Sequence, residues 1–141
     1  LAAGLPLGAV LLTEAVQESF PAGTHPTTFG GGPLACRVAL EFLEIVDDLL
    51  PHIRQIGDQI RAGLEAMQSR RSVIQEVRSR GLMIGIELNR SGHGMVRRAL
   101  DRGLLINCTQ ESVIRLLPPY ILNAEQAKEG MEILDEVLAE A

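Results

Sequence analysis

Tryptophan is missing from this chain of 141 residues, and aromatic side chains make up only 3 % of it, so Leu, Ile, Val and Ala must fill any core. Cysteine is nearly as scarce. Cys36 and Cys108 stand far apart with no CxxC or Cys/His spacing, which argues against a metal or redox site and leaves a reduced pair as the expectation. A basic surplus is lacking too: the net charge of −5 argues against a nucleic-acid partner. No apolar run reaches the roughly 18 residues of a membrane-spanning helix without meeting Glu or Arg, so no membrane partner is expected. The opening Leu1-Ala-Ala-Gly-Leu-Pro-Leu-Gly8 has neither Met nor a basic stretch and is not a signal peptide. A chain that begins in a Gly/Pro loop and enters an apolar strand reads as part of something longer. What is present, 46 % hydrophobic and 22 % charged residues, is the balance of a soluble cytoplasmic protein with one domain or part of a larger one.

Periodicity divides the chain in two. Residues 9–12 form a short apolar run of the kind found in buried strands, and Thr13 is placed to cap a short helix over 14–20. A loop rich in Gly, Pro and Thr follows, up to Pro33, which suits the first position of a helix because its missing N–H costs nothing there. Leu34, Val38, Phe42 and Ile45 make one apolar helical face, and Pro51 should end or kink that helix. A second helix carries Ile53, Ile56, Ile60, Leu64 and Met67 on one side, with Arg54, Asp58, Arg61 and Glu65 opposite as a solvated face. From there the order is strand (73–78), strand (82–88), helix (94–102, stopped by Gly103), strand (104–107), strand (113–117) and a helix capped by Asn123. The expected fold class is therefore α/β and α+β: residues 1–50 as the end of an α/β domain, and 51–141 as a small α+β domain.

Two stretches hold residues suited to chemistry. In Gly23-Thr-His-Pro-Thr-Thr-Phe-Gly-Gly-Gly-Pro33, hydroxyls and exposed N–H groups precede a helix start, which suits an anionic phosphate, and the glycines allow close approach. The same loop also reads as a flexible connector ending in a cap. His25 within it has no visible carboxylate partner, so it is not assigned a catalytic role. Arg115, in Val-Ile-Arg-Leu-Leu-Pro-Pro, shares a strand face with Val113 and Leu117 by alternation. An arginine there needs a partner for its fork, either a structural Asp or Glu or the carboxylate of a substrate. Glu87 and Arg80 end or flank a strand, where exposed charge is ordinary, and receive no chemistry. There is no metal cluster, Ser/His/Asp set or Walker-type loop.

Four stretches together resemble the class-III pyridoxal-phosphate (PLP) aminotransferases. Gly4-Leu-Pro-Leu-Gly-Ala9 is similar to the segment shortly after that family's PLP lysine. Gly23 to Cys36 is similar to its Gly-(Ser/Thr)-His-Gly-(Ser/Thr)-Thr-(Phe/Tyr)-Gly-Gly-Asn-Pro-Leu-Ala loop. Arg80-Gly-Leu-Met-Ile-Gly-Ile-Glu87 resembles the first strand of its C-terminal domain. Gly103-Leu-Leu-Ile-Asn-Cys-Thr109 with Val113-Ile-Arg-Leu-Leu-Pro-Pro119 is similar to the acetylornithine branch in particular. The likeness runs over the full chain in the family's order. The departures are Pro26 where Gly is common and Gly32 in place of Asn.

The resemblance implies the C-terminal part of a fold-type-I enzyme that works as a homodimer and moves an amino group from N-acetylornithine, or a close analogue, to 2-oxoglutarate in arginine biosynthesis. The partners it implies are small amino and keto acids, and the cofactor is pyridoxal 5'-phosphate. Carried over residue by residue, Thr28 matches the threonine that bonds the cofactor phosphate across the dimer interface. Thr27 matches its substrate-facing neighbour, and Arg115 matches the arginine associated with the substrate carboxylate. The lysine that carries the cofactor would fall about two positions before Leu1, so no catalytic residue is expected in this chain and the chain alone should be inactive. Ornithine, succinylornithine, 4-aminobutyrate or a lysine-pathway analogue are alternative donors. Other readings are a small α+β ligand-binding or regulatory domain, or a non-catalytic remnant. Residues 1–50 should expose apolar surface and make the isolated piece poorly soluble.

Overall fold

A helix of 36 residues, α2 (Pro33–Gln68), runs through Pro51 and joins the two expected helices into one. Proline inside a helix removes one N–H and crowds the preceding turn, at a cost of about 3 kcal/mol. Tertiary contacts beyond Pro51 outweigh that local cost. The His52 ring bonds the Leu122 carbonyl at 2.9 Å and Gln59 Nε2 donates to the Ala124 carbonyl at 3.2 Å. The stripe Ile53, Ile56, Ile60, Leu64 and Met67 is buried along its length, as its spacing requires. The computed structural model describes residues 1–21, 23–24 and 27–140, so His25 and Pro26 lie outside the described residues. These form two compact units, Leu1–Asp48 and Leu49–Ala141.

The first unit holds α1 (Glu14–Gln17), shorter than its sequence suggested, and the first part of α2. Thr13 stands at the N-cap of α1 in extended conformation but makes no capping bond through its hydroxyl. Residues 9–12 are not a strand. A strand persists by sharing a ladder with a neighbour, and among the described residues this unit supplies none; Val10 and Leu11 are 83 % and 95 % exposed. The expected face of α2 fares similarly: Leu34 and Ile45 are exposed, and Val38 and Phe42 half-buried.

The second unit is a four-stranded antiparallel sheet in the order β1-β2-β4-β3, formed by β1 (Ile74–Arg80), β2 (Met83–Leu88), β3 (Asn107–Thr109) and β4 (Val113–Leu116). Between them come α3 (His93–Asp101) and, at the end, α4 (Ala124–Ala139). One sheet face carries Ile84, Ile86, Leu88 and Ile114, all buried. Gly81 turns β1 into β2 at φ +56, a conformation other residues resist. Gly103, at φ +83, closes α3 in a Schellman arrangement: the Gly103 N–H donates to the Leu100 carbonyl and the Leu104 N–H to the Ala99 carbonyl, each at 2.9 Å. That cap commits the Leu104 N–H, so the strand expected over 104–107 begins only at Asn107. Asn123 caps α4 through a reciprocal bond with Gln126, at 2.8 and 3.1 Å.

Asp135 of α4 accepts from Arg71 Nε at 3.0 Å and Arg70 Nη2 at 2.9 Å. The hydrogen bond from Arg71 holds its carboxyl below the usual carboxylate range. This pairing therefore supports the fold at neutral pH and is lost as pH falls through that lowered value.

The β3–β4 connection puts two consecutive non-glycine residues, Gln110 (φ 50) and Glu111 (φ 66), in the left-handed region. Each costs roughly 1–2 kcal/mol relative to glycine. Glu111→Gly should raise stability by about 1 kcal/mol, read as a higher denaturation midpoint; an unchanged or lower midpoint would show that the Glu111 side chain offsets its strain.

Candidate functional site

The turn ahead of α2 brings Thr27 and Thr28 together. The Thr27 carbonyl accepts the Gly30 N–H at 3.3 Å, and a Cβ at Gly30 would stand 2.8 Å from the Thr27 methyl, so a larger residue there would push the Thr27 side chain aside. Gly31 completes it at φ +70. The first bond into α2 runs from the Cys36 N–H to the Gly32 carbonyl at 3.0 Å, which leaves the N–H groups of Leu34 and Ala35 without a carbonyl of their own helix. Thr27 and Thr28 are both exposed. Neither hydroxyl has a hydrogen-bond partner among the described residues, whereas Thr24 turns its hydroxyl inward to the Pro21 carbonyl at 2.8 Å. Free hydroxyls in the turn that leads into a helix start with free N–H groups are donors of the kind a phosphate takes.

Arg115 belongs to the second unit, on the sheet face opposite the buried isoleucines. The register places Arg78, Gly85, Arg115 and Asn107 in one row across β1, β2, β4 and β3. Arg115 Nε donates to Asn107 Oδ1 at 3.3 Å. No carboxylate pairs with Arg115 among the described residues, so the structural Asp or Glu that would hold its fork is not found there, and its terminal nitrogens carry no bond.

Arg78, two strands away, contrasts with it. Its guanidinium donates to Glu76 and to Glu87, the latter at 2.9 Å, and Glu87 also accepts the Ser112 hydroxyl at 2.8 Å. The bond from Arg78, with the one from Ser112, holds the Glu87 carboxyl below its ordinary range. A cleft of about 360 Å³ opens on this face, lined by Arg78, Arg80, Met83, Gly85, Val113 and Arg115 among others, with no Asp or Glu in its walls. Sequence reading passed over Arg80, because nothing in strand alternation alone says which strand lies beside it. The usable signal is its i,i+2 relation to Arg78, which puts both on one face of β1.

The chain has a single lysine, Lys128, exposed on α4 and paired with Glu132 at 3.7 Å. Both cysteines are free, and no group of metal-ligating side chains forms among the described residues. No helix among them is long and apolar enough to cross a membrane.

The aminotransferase class-III family model matches residues 1–138. An acetylornithine aminotransferase of Aquifex aeolicus is 42 % identical over 138 residues, covering 98 % of this chain and 35 % of that protein. Ornithine aminotransferase 1 of Staphylococcus saprophyticus is 36 % identical over 135 residues, covering 94 % of this chain and 34 % of its own length. The crystal structure of acetylornithine aminotransferase from Elizabethkingia anophelis superposes with a TM-score of 0.74 at 29 % identity, covering 89 % of this chain and 35 % of that one. The chain thus spans about a third of the length of the relatives it matches.

Proposed function

Because the chain belongs to the class-III aminotransferase family, we propose that it is the C-terminal part of a PLP enzyme that moves an amino group from N-acetylornithine, or a close analogue, to 2-oxoglutarate in cytoplasmic arginine biosynthesis. On this reading residues 1–50 end the large cofactor-binding domain and 51–141 are the small domain of a homodimer. The observation that carries it is Arg115, whose fork has no acidic partner among the described residues in a cleft without acids. A guanidinium left with free N–H donors is a receptor for a carboxylate, which it grips through two parallel bonds. The acetylornithine and ornithine aminotransferase names of the relatives support an amino-acid substrate of this kind.

The donor set ahead of α2 fits the phosphate of PLP. Thr28 would donate its hydroxyl to that phosphate, with the start of α2 adding N–H dipoles, and Thr27 would face the substrate. When bound, PLP supplies an electron sink for the carbanion formed at the substrate carbon. This chain's own part is to anchor the phosphate and orient the substrate by its carboxylate. Its one lysine is ion-paired on the outside of α4, so the lysine that carries the cofactor is expected upstream, and the chain alone should transfer no amino group.

Thr28→Val keeps the shape and removes the hydroxyl. In the longer enzyme it should weaken cofactor retention by about tenfold or more, the worth of one hydrogen bond to a charged group, read by equilibrium dialysis against free PLP. Unaltered retention would remove Thr28 from the phosphate site. Ornithine as donor is the second reading, favoured by the S. saprophyticus relative; comparing kcat/KM for ornithine and N-acetylornithine decides it. A ligand-binding module or a non-catalytic remnant would give no turnover with either.

A further inference from the structure

We infer that the outer edge of β1 is a self-pairing surface. It takes β1 of a second copy of this chain, antiparallel and centred on Val77, and so continues one four-stranded sheet into another.

β1 ends the order β1-β2-β4-β3 and pairs with β2 on one side only. The ladder fixes which of its backbone groups are left over. The Leu88 N–H donates to the Ser112 carbonyl, toward β4, and the Asn89 N–H to the Val73 carbonyl, toward β1. By alternation Glu87, Gly85 and Met83 also bond toward β1, and the register gives them Glu76, Arg78 and Arg80 as partners. The N–H and C=O groups of Val77 and Ser79 therefore face outward, and among the described residues nothing bonds them. The Gln68 amide covers the Gln75 carbonyl at 2.8 Å, and the one irregularity of the ladder, between Ile74 and Glu76, lies at the same end. Proteins commonly blunt an open edge with proline or lysine. Ile74–Arg80 contains neither.

The charges choose the occupant and its register. In a two-fold antiparallel pair, residues equally far before and after the centre face each other. Centred on Val77, each copy's Glu76 faces the Arg78 of the other copy, twice by symmetry. These are the closer, non-hydrogen-bonded positions, with Cα atoms about 4.5 Å apart, where opposite charges attract most. At the centre the two Val77 residues exchange both of their outward backbone bonds, so hydrogen bonding and charge agree. A centre at Arg78 sets Arg78 against Arg78, and a centre at Ser79 sets Arg78 against Arg80 twice, which like charges oppose. A single strand pair buries less than the roughly 1,200 Å² of a stable complex, so the association is reversible.

Disulfide trapping tests the register on the intact chain, with Cys36→Ser and Cys108→Ser as background and diamide as the oxidant that takes up the two thiol hydrogens. In the proposed pair the two Val77 Cα atoms lie about 5.5 Å apart, within disulfide reach, and the two Ser79 positions roughly 14 Å apart, beyond it. Val77→Cys should thus form covalent dimer at least about tenfold faster than Ser79→Cys. Random collision would give the opposite order, because Ser79 is exposed and Val77 half-buried. Adding Glu76→Arg to the Val77→Cys chain should slow trapping severalfold, since arginine then faces arginine. Circular dichroism melting confirms that each variant keeps its fold. Equal trapping at the two positions, faster trapping through Ser79→Cys, or none at either would overturn the pairing.

Discussion

Gly57→Ala should destabilise the second unit, reversing the sign usual for a glycine inside a helix. An exposed helical glycine replaced by alanine gains about 1 kcal/mol from propensity alone. At Gly57 a Cβ would stand 2.7 Å from the Gly81 carbonyl oxygen and 2.8 Å from its carbon. Both are backbone atoms in the β1–β2 turn, which Gly81 holds at φ +56 and Ile53 packs beneath, so neither yields cheaply. Overpacking of this kind costs roughly 1–3 kcal/mol, and valine in place of alanine deepens the clash. The midpoint of thermal unfolding should fall by roughly 4–8 °C for each kcal/mol lost. Gly63 on the same helix is the control. There a Cβ would meet only the terminal methyl of Met131, at 3.2 Å, which can move aside. Gly63→Ala should be neutral or stabilising. Equal effects at the two positions would mean that α2 does not sit on Gly81 as closely as this geometry requires.

The second large effect is on substrate. In the longer enzyme, Arg115→Lys should raise the KM for 2-oxoglutarate by about tenfold to a hundredfold, because the ammonium keeps the charge but loses the paired donors of the fork. The kcat should change much less, since an arginine that holds the carboxylate in ground and transition states alike contributes uniform binding. The folding midpoint should stay put, as Arg115 is exposed and its one protein bond is to Asn107. A lower midpoint with an unaltered KM would make Arg115 a structural residue.

What was legible in the sequence was what local chemistry decides. The cap at Asn123, the glycine at 103 and the alternation in β2 and β4 are written in residues close to one another, and each element stands where they put it. Pro51 was misleading because its cost is local while the contacts that override it, His52 to Leu122 and Gln59 to Ala124, come from residues far along the chain. Residues 9–12 carry the composition of a strand, but a ladder needs a neighbour that the sequence cannot supply by itself. At the candidate site, alternation separated Arg115 from the buried Ile114, and the need of its fork for a partner was plain. That the partner would be a neutral amide, and that Arg80 would line the same cleft, depends on the order β1-β2-β4 and its register. Those are properties of the folded sheet.

Glutamate formation from N-acetylornithine and 2-oxoglutarate tests the functional assignment most directly, measured side by side for the polypeptide of the relatives' length and for the 141-residue chain alone, each with added PLP. The expected result is PLP-dependent glutamate release by the longer polypeptide, and none by the chain whose only lysine is ion-paired on α4. Release of glutamate by the chain alone, or none from the longer polypeptide with N-acetylornithine or ornithine as donor, would contradict it.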